Sequence, residues 1–561
     1  MPPKESVDLV IEPRWVLPIA PVNTVLTDHA VAVSAGRIVA LAPVAEINAR
    51  FEPRARAIRT DHALLPGFVN AHTRAATTLL RGLPVYGPRH DWMRETVLPV
   101  ARTCMSPDFV REGTQLAIAE MLRAGITAFA DMYLFPEEAA RVASAARMRA
   151  AIGLPVTDGP TAWAESATGH LAKAEQLWDE YQSNPWVSLY FAPHDAFGEN
   201  DQTLARVRRV ADELDARVAM YLAPGEVHLN HTGGRSPLVR LQELGLLGPG
   251  FTAVHLASTD EEELEIAAST GICVVACQQS HLRLNGALCP IGSLEARGVT
   301  VGLGTDSPLS VGALDVLGEA RVGALVGGIA ERAGAGAYAD TAGFTGDLFG
   351  VRAGASGVGS AGAGVRAGAS GVGSAGADVR GGAGGGGSAG DVGAGARSVG
   401  SVGDVGAGGY GDAHGERAAT DVSSVRDAGG AWRADAGGYV SGGVRASDYA
   451  GALGDAAALS ALRRATLGGA AALGLSAVTG SIEPGKAADL VCINLSALSC
   501  QPNVQRPADA LVFGATRNHV SDVWTSGRAA VSDGHLLTFD EQELLALSQR
   551  WATRLPTGGG S

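Results

Sequence analysis

The stretch FTAVHLASTDEEELEIAASTGICVVACQQ (residues 251–279) contains two apolar runs separated by a segment with helical spacing. The runs FTAVHLAS and ICVVACQQ are rich in β-branched or aromatic residues and end in polar or small ones, which is typical of buried parallel strands. The intervening DEEELEIAASTG has apolar residues three and four positions apart and closes with a glycine, which predicts a helix. The stretch therefore predicts one strand, helix, strand unit of an α/β fold.

The same alternation extends to both sides of this unit. Further strands are predicted for VSLYFAPHD (187–195), RVAMYLAP (217–224) and VTVGLGTD (299–306), and further helices for DQTLARVRRVADELDA, SPLVRLQELGLLG and IGSLEARG. The number of units between residue 64 and about residue 330 favours a (β/α)8 TIM-like barrel over a doubly wound sheet. Polar residues follow these strands, at the barrel end where active sites are built.

The two ends of the chain have a different pattern, typical of β-hairpins with AGR and SGR turns. We expect them to form one small composite β-sandwich beside the barrel. The predicted division is the N-terminal portion of the β-sandwich over 1–62, the barrel over 63–332, an insertion over 333–456, the last barrel helix region over 457–474, and the C-terminal portion of the β-sandwich with a C-terminal helix over 475–561.

The predicted insertion consists mostly of Gly, Ala, Ser, Val, Asp and Arg. The sequence VRAGASGVGSAGAG (351–364) recurs as VRAGASGVGSAGAD (365–378), a period too short and too rich in glycine for a solenoid repeat. A segment with so few Leu, Ile and Phe residues cannot bury enough apolar surface to offset its ordering entropy. The composition therefore predicts a long disordered insertion.

The net charge and the cysteines indicate which partners and which cellular compartment to expect. A net charge of −14 argues against nucleic acid and anionic membranes as partners, because both attract a basic surface. Six irregularly spaced cysteines indicate a reducing compartment rather than a disulfide framework. The start of the chain has no apolar signal region, and no apolar run is long enough to cross a membrane. We expect a cytoplasmic protein with a small-molecule substrate or ligand.

Six motifs, in order along the chain, carry a resemblance to a known family: LLPGFVNAHTRAATTLLRGL, AIAEMLRAGITAFADMYLFPE, APHDAF, AVHLAS, GLGTDSPLS and GSIEPGKAADLV. Together they resemble the amidohydrolase superfamily, and most closely its methylthioadenosine/S-adenosylhomocysteine deaminase and triazine-hydrolase-like (TRZ/ATZ) branch. The resemblance covers almost the whole chain outside the insertion. It implies a (β/α)8 barrel with a composite β-sandwich, one divalent metal ion (zinc or iron), hydrolysis at a carbon bearing an amino or halide group, and a homodimer or homotetramer.

The resemblance also assigns roles to individual positions, and several of these positions carry unexpected residues. The metal ligands would fall at His72, 74, 221 and Asp306, and the general acid/base glutamate at 224. This sequence has Arg74, Tyr221 and Pro224 at three of these positions, and Ala101 where a ribose-binding glutamate would fall. Two other implied site residues are kept: His194, which would contact the substrate, and His255, which would ligate the metal or orient the nucleophile.

Arg74 is the substitution with the largest electrostatic consequence. A guanidinium stays protonated and offers only donors, so it cannot ligate a metal. Two unit charges about 4 Å apart interact by roughly 4 kcal/mol at an effective dielectric constant near 20, so a dication beside Arg74 would be repelled. We expect Arg74 to occupy the metal position and to pair with Asp306.

Two classes of function remain open. The substitutions predict lost or strongly impaired catalysis, with the chain kept as a binding or assembly scaffold. The alternative is an active mononuclear metal hydrolase that uses His72, His255 and Asp306. For each histidine, a purely structural role as a hydrogen-bonded barrel residue is also open.

Overall fold

In the computed structural model, the described residues are 3–85, 89–194, 199–222, 236–257, 259–284, 287–333, 446–502 and 505–554. Eight parallel strands follow one another in sequence order around a barrel. They are β6 (Phe68–Thr73), β7 (Ile126–Asp131), β8 (Arg149–Val156), β9 (Val187–Pro193), β10 (Arg217–Tyr221), β11 (Phe251–Val254), β12 (Cys273–Ala276) and β13 (Thr300–Leu303). A parallel bridge between Thr73 and Asp306 joins the last strand to the first. The predicted TIM-like barrel is confirmed.

Helices cover the barrel and connect its strands. They are α1 (Val44–Arg50), α2 (Arg89–Trp92), α3 (Leu98–Cys104), α4 (Pro107–Arg123), α5 (Pro136–Ala146), α6 (Ala167–Tyr181), α7 (Asp201–Leu214), α8 (Pro237–Glu243), α9 (Glu261–Thr270), α10 (Gln278–Arg283), α11 (Ile291–Ala296), α12 (Pro308–Val311), α13 (Val316–Ala333), α14 (Ala446–Arg463), α15 (Gly469–Ala472), α16 (Pro507–Asp509) and α17 (Glu541–Ala552). Shorter or wider helical turns cover Ala75–Leu80, Met93–Val97, Arg464–Gly468, Leu498–Cys500, Ala510–Gly514 and Arg517–His519.

The N- and C-terminal segments combine into a second, nine-stranded sheet. Its main order is β17 (His535–Leu536), β16 (Arg528–Ser532), β15 (Val520–Thr525), β14 (Leu490–Asn494), β5 (Phe51–Pro66), β1 (Glu5–Val16), β3 (His29–Ser34) and β4 (Arg37–Pro43), with β2 (Leu26–Thr27) beside β1. The antiparallel pair of β5 and β14 joins the two ends of the chain. The expected AGR and SGR turns are both present, since Gly36 and Gly527 adopt positive φ angles between paired strands.

The strand and helix pattern predicted from the sequence is confirmed between residues 187 and 303, although the strands end earlier than predicted. β11 ends at Val254 because His255 and Leu256 both adopt positive φ angles, which break the extended backbone. The predicted disordered insertion lies outside the described residues except at its two ends. There, α13 ends at Ala333 and α14 begins at Ala446, so a helix starts before the predicted boundary at residue 456.

A buried ion pair connects the terminal sheet to the barrel. Arg149, at the start of β8, donates from Nε to Asp489 Oδ2 at 2.6 Å and from Nη2 to Ser526 Oγ at 2.7 Å. Asp489 is fully buried and also accepts the backbone N–H of Ser526. The position of the barrel against the sheet is thus fixed by charge-assisted hydrogen bonds as well as by apolar packing.

Two further expectations concern disulfide bonds and membrane-spanning helices. None of the six cysteines, all of which lie in the described residues, forms a disulfide, and Cys273, Cys277 and Cys289 are buried within the hydrophobic core. Among the helices of the described residues, none combines the length and the apolar character needed to cross a membrane.

Candidate active site and metal centre

Three buried side chains converge at the carboxyl end of the barrel. His72 lies on β6, His255 directly follows β11, and Asp306 follows β13. One ligand atom from each lies within 4.8 Å of the others, and all three residues are almost completely buried. His72 Nε2 is 3.6 Å from Asp306 Oδ1, and the rings of His72 and His255 meet edge to face. The structure therefore brings together three of the residues that the sequence suggested.

The barrel closure positions His72 and Asp306 next to each other. The backbone N–H of Asp306 donates to the carbonyl of His72 at 3.0 Å. Just before these two residues, the Asn70 side chain donates to Thr305 Oγ1 at 2.8 Å and accepts the backbone N–H of Thr305 at 3.0 Å. Gly304 permits this approach, since a Cβ there would lie only 2.8 Å from the Cβ of His72. Two of the three cluster residues are thus held by the seam between the first and last strands.

Backbone strain is concentrated at the same place. His255 has a φ angle of 76° and Asp306 one of 58°, both in the left-handed region that side chains other than glycine seldom adopt. Such conformations persist where the surrounding structure imposes them, and they cluster at functional sites. Both residues belong to the buried cluster at the carboxyl end of the barrel.

Asp306 accepts a hydrogen bond on one carboxylate oxygen, and its other oxygen faces His72 and Arg74. Ser280 Oγ donates to Asp306 Oδ2 at 2.6 Å, and Ser310 Oγ lies 3.3 Å from the same atom. Oδ1 faces His72 Nε2, and Arg74 Nε lies 4.0 Å away. The expected pairing of Arg74 with Asp306 is present as an ion pair, but its distance is too long for a hydrogen bond.

His281 is a site residue that the sequence analysis did not identify. It lies on α10, which directly follows β12, and its Nε2 is 2.8 Å from Nδ1 of His255. The same helix carries Ser280, so one short helix contacts two of the three cluster residues. The sequence did contain one signal for His281, namely its position shortly after a predicted barrel strand, because barrel active sites are built from residues that follow the strands.

Two further buried carboxyl groups, those of Glu319 and Asp131, lie near the cluster. Burial raises the pKa of Glu319 to about 8, although backbone N–H groups of Gln279 and Gln278 act in the opposite direction. Because the Glu319 carboxyl group accepts hydrogen bonds from these two N–H groups, it holds the first turn of α10 in place. Burial also raises the pKa of Asp131 to about 7, against the lowering effects of the Ala75 N–H and the positive charge of Arg74.

The other predicted site residues lie around the cluster or outside the described residues. Tyr221, the last residue of β10, packs edge to face against His255 with 4.3 Å between ring centres. His194 follows β9 and is exposed. Ala101 is half-buried within α3. Pro224 lies outside the described residues.

The donor set fits a divalent transition metal ion. Two imidazoles and one carboxylate are common zinc ligands, and three protein ligands leave a position for water. Ligand atoms about 2.0 to 2.2 Å from one ion are at most about 4.4 Å apart, so the 4.8 Å spread needs only small side-chain movements. Tyr221 adds an aromatic ring against His255, and Arg74 adds a positive charge near Asp306.

Comparison with known proteins gives the family. The model of the amidohydrolase family matches residues 63–335 and 444–530. A 5-methylthioadenosine/S-adenosylhomocysteine deaminase of Teredinibacter turnerae is 29% identical over 553 residues, covering 98% of each chain. Another of Saccharophagus degradans is 34% identical over 59% of this chain and 75% of its own length.

Solved structures agree with this assignment. An adenosine deaminase from Xanthomonas campestris with bound zinc has a TM-score of 0.74 and 32% identity, covering 98% of this chain and 99% of the other. The zinc complex of atrazine chlorohydrolase from Arthrobacter aurescens TC1 has a TM-score of 0.68 at 17% identity, covering 97% and 99%. The second similarity concerns the fold alone. The matched family model, the barrel and the full-length relatives together place this chain in the amidohydrolase family.

Proposed function

We propose that this chain is an active, metal-dependent hydrolase of carbon–nitrogen bonds other than peptide bonds. Its substrate is an adenosine-like or other heteroaromatic amine. The observation that carries the proposal is the convergence of His72, His255 and Asp306, all buried, at the catalytic end of the barrel. This convergence supports the active alternative over loss of catalysis, because three protein ligands with a fourth position for water are the usual arrangement of catalytic zinc sites.

These three residues would hold the metal ion. When bound, a divalent ion there supplies Lewis acidity, which makes water acidic near neutral pH. Asp306 contributes the negative charge of the ligand set, and Ser280 keeps its Oδ1 directed at the cluster by occupying Oδ2. His281 fixes the orientation of the His255 ring through its contact with Nδ1 of that ring. The chain thus supplies both ligands and the groups that orient them.

The named relatives support the substrate class. The proteins from Teredinibacter turnerae and Saccharophagus degradans are described as deaminases of methylthioadenosine and S-adenosylhomocysteine. The protein from Xanthomonas campestris is described as an adenosine deaminase. We therefore infer ring deamination rather than amide hydrolysis. Since Pro224 cannot transfer a proton, we expect turnover slower than an enzyme with a carboxylate at this position would show.

The test is ammonia release from 5′-methylthioadenosine, S-adenosylhomocysteine and adenosine by protein reconstituted with zinc or iron. Turnover that requires metal and is abolished in Asp306→Asn supports the proposal. As a matched control, Asp315→Asn changes a carboxylate outside the cluster and should retain activity. Metal-loaded protein that releases no ammonia from these three substrates would contradict the assignment to adenosine-like substrates.

A further inference from the structure

The guanidinium of Arg74 is buried beside the cluster without a hydrogen-bonded partner for Nε. The side chain is 12% exposed, and in the described part of the chain its buried Nε donates no hydrogen bond. Its ion pair with Asp306 spans 4.0 Å, which is longer than a charge-assisted hydrogen bond. A buried cationic donor without an acceptor is unfavourable, so the site lacks an acceptor that something else can supply.

With a divalent ion bound, the charges around Arg74 would favour binding of an anion. Asp306 contributes one negative charge, which the positive charge of Arg74 balances. A divalent ion on His72, His255 and Asp306 would leave the cluster with an excess of positive charge. Even an ionised Asp131, whose Oδ1 accepts the Ala75 N–H, would offset only one of these positive charges. A negatively charged group bound between Arg74 and the metal position would relieve this excess.

We propose that Arg74 binds a planar oxyanion of the substrate, a carboxylate or an ionised ring oxygen, next to the carbon that is attacked. This inference rests on the proposed function and narrows its substrate class to anionic heteroaromatic amines. The guanidinium is suited to this task because its planar donors match two oxygens at once. The position also fixes where the anion lies, because Arg74 contacts a metal-site residue rather than the rim of the barrel.

The experiment compares a matched pair of probes, pyrazine-2-carboxylate and pyrazinamide, which differ in charge beside a ring nitrogen. Binding to the full-length, zinc-supplied protein is measured by titration calorimetry at two salt concentrations. We expect the carboxylate to bind at least about tenfold more tightly than the amide, with a preference that weakens as salt rises. Equal binding of the two probes, or binding of neither, overturns the proposal.

Variants assign the preference to Arg74. Arg74→Gln should remove it, and Arg74→Lys should keep part of it, since the ammonium retains the charge without the planar fork. Arg81→Gln is the matched control. Arg74 precedes the helical turn Ala75–Leu80 and Arg81 follows it, but Arg81 pairs with Glu120 rather than with Asp306. A carboxylate preference that survives in Arg74→Gln contradicts the assignment. Zinc content is measured on each sample, so failure of the metal site is distinguished from failure of anion binding.

Discussion

Nδ1 of His255 lies 2.8 Å from Nε2 of His281, and the two rings meet at a steep angle with 4.8 Å between their centres. Both residues are buried, so this contact is shielded from water. When Nδ1 of His255 carries the shared proton, its buried Nε2 keeps a lone pair. With the proton held there, the contact would maintain the tautomer of His255 that can ligate a metal through Nε2.

His281→Leu should weaken zinc binding by about 10- to 100-fold, because His255 loses the group that fixes its tautomer and ring orientation. His281→Gln should recover part of the affinity, since its amide can still accept the proton. Competition with a chromophoric chelator measures the affinity, and the visible spectrum of the cobalt-substituted protein reports the geometry. Unchanged affinity in His281→Leu would show that His281 is a core residue only.

Arg74→Met should increase zinc affinity at least about tenfold. The reason is that Arg74 Nε lies 4.0 Å from Asp306 Oδ1, where its charge opposes a dication. The same chelator competition measures the change, with Arg81→Met as the control for loss of a nearby arginine. Weaker zinc binding in Arg74→Met would mean that Arg74 organises the ligands rather than repelling the metal.

Arg149→Ala should lower the free energy of unfolding by about 3 to 5 kcal/mol, because it leaves the buried carboxylate of Asp489 without its cation. Arg50→Ala removes an arginine that is 52% exposed and pairs with the exposed Glu46, so it should cost at most about 1 kcal/mol. Urea denaturation of both variants measures the difference. Similar losses in the two variants would contradict the role of the Arg149 pair in joining the sheet to the barrel.

Glu319→Gln should flatten the dependence of stability on pH between about 5 and 8. Because burial raises the pKa of Glu319 to about 8, the folded chain binds this proton more tightly than the unfolded chain does. The resulting stabilisation is full below the unfolded pKa and is lost as pH rises toward 8. We expect the wild type to lose at least about 1 kcal/mol more than Glu319→Gln over this range. Urea denaturation at both pH values tests this, with exposed Glu213→Gln as a control.

The sequence predicted the barrel and the joined terminal segments because both depend on local patterns, namely alternating strands and helices and glycine-containing turns. The cluster of His72, His255 and Asp306 was also within reach, since the carboxyl ends of parallel strands meet at one edge. From the sequence alone, the substitutions at 74 and 221 predict a damaged site, whereas the structure places both residues beside the cluster of His72, His255 and Asp306.

The supporting contacts could not be predicted from the sequence. His281 and Ser280 reach different ligands from one short helix, and only the packing of that helix decides which side chain meets which. Glu319 contacts the same helix from a position 40 residues later in the chain. Neither contact leaves a periodic signal, because each depends on side-chain direction after the chain has folded.

Zinc stoichiometry, measured by mass spectrometry on wild-type protein and on Asp306→Ala after saturation and removal of free metal, tests the proposed metal centre most directly. We predict one tightly bound zinc ion per wild-type chain and a large loss in the folded Asp306→Ala variant. Wild-type protein that retains no metal under any loading condition would contradict the metal centre and show that Arg74 takes the place of the ion.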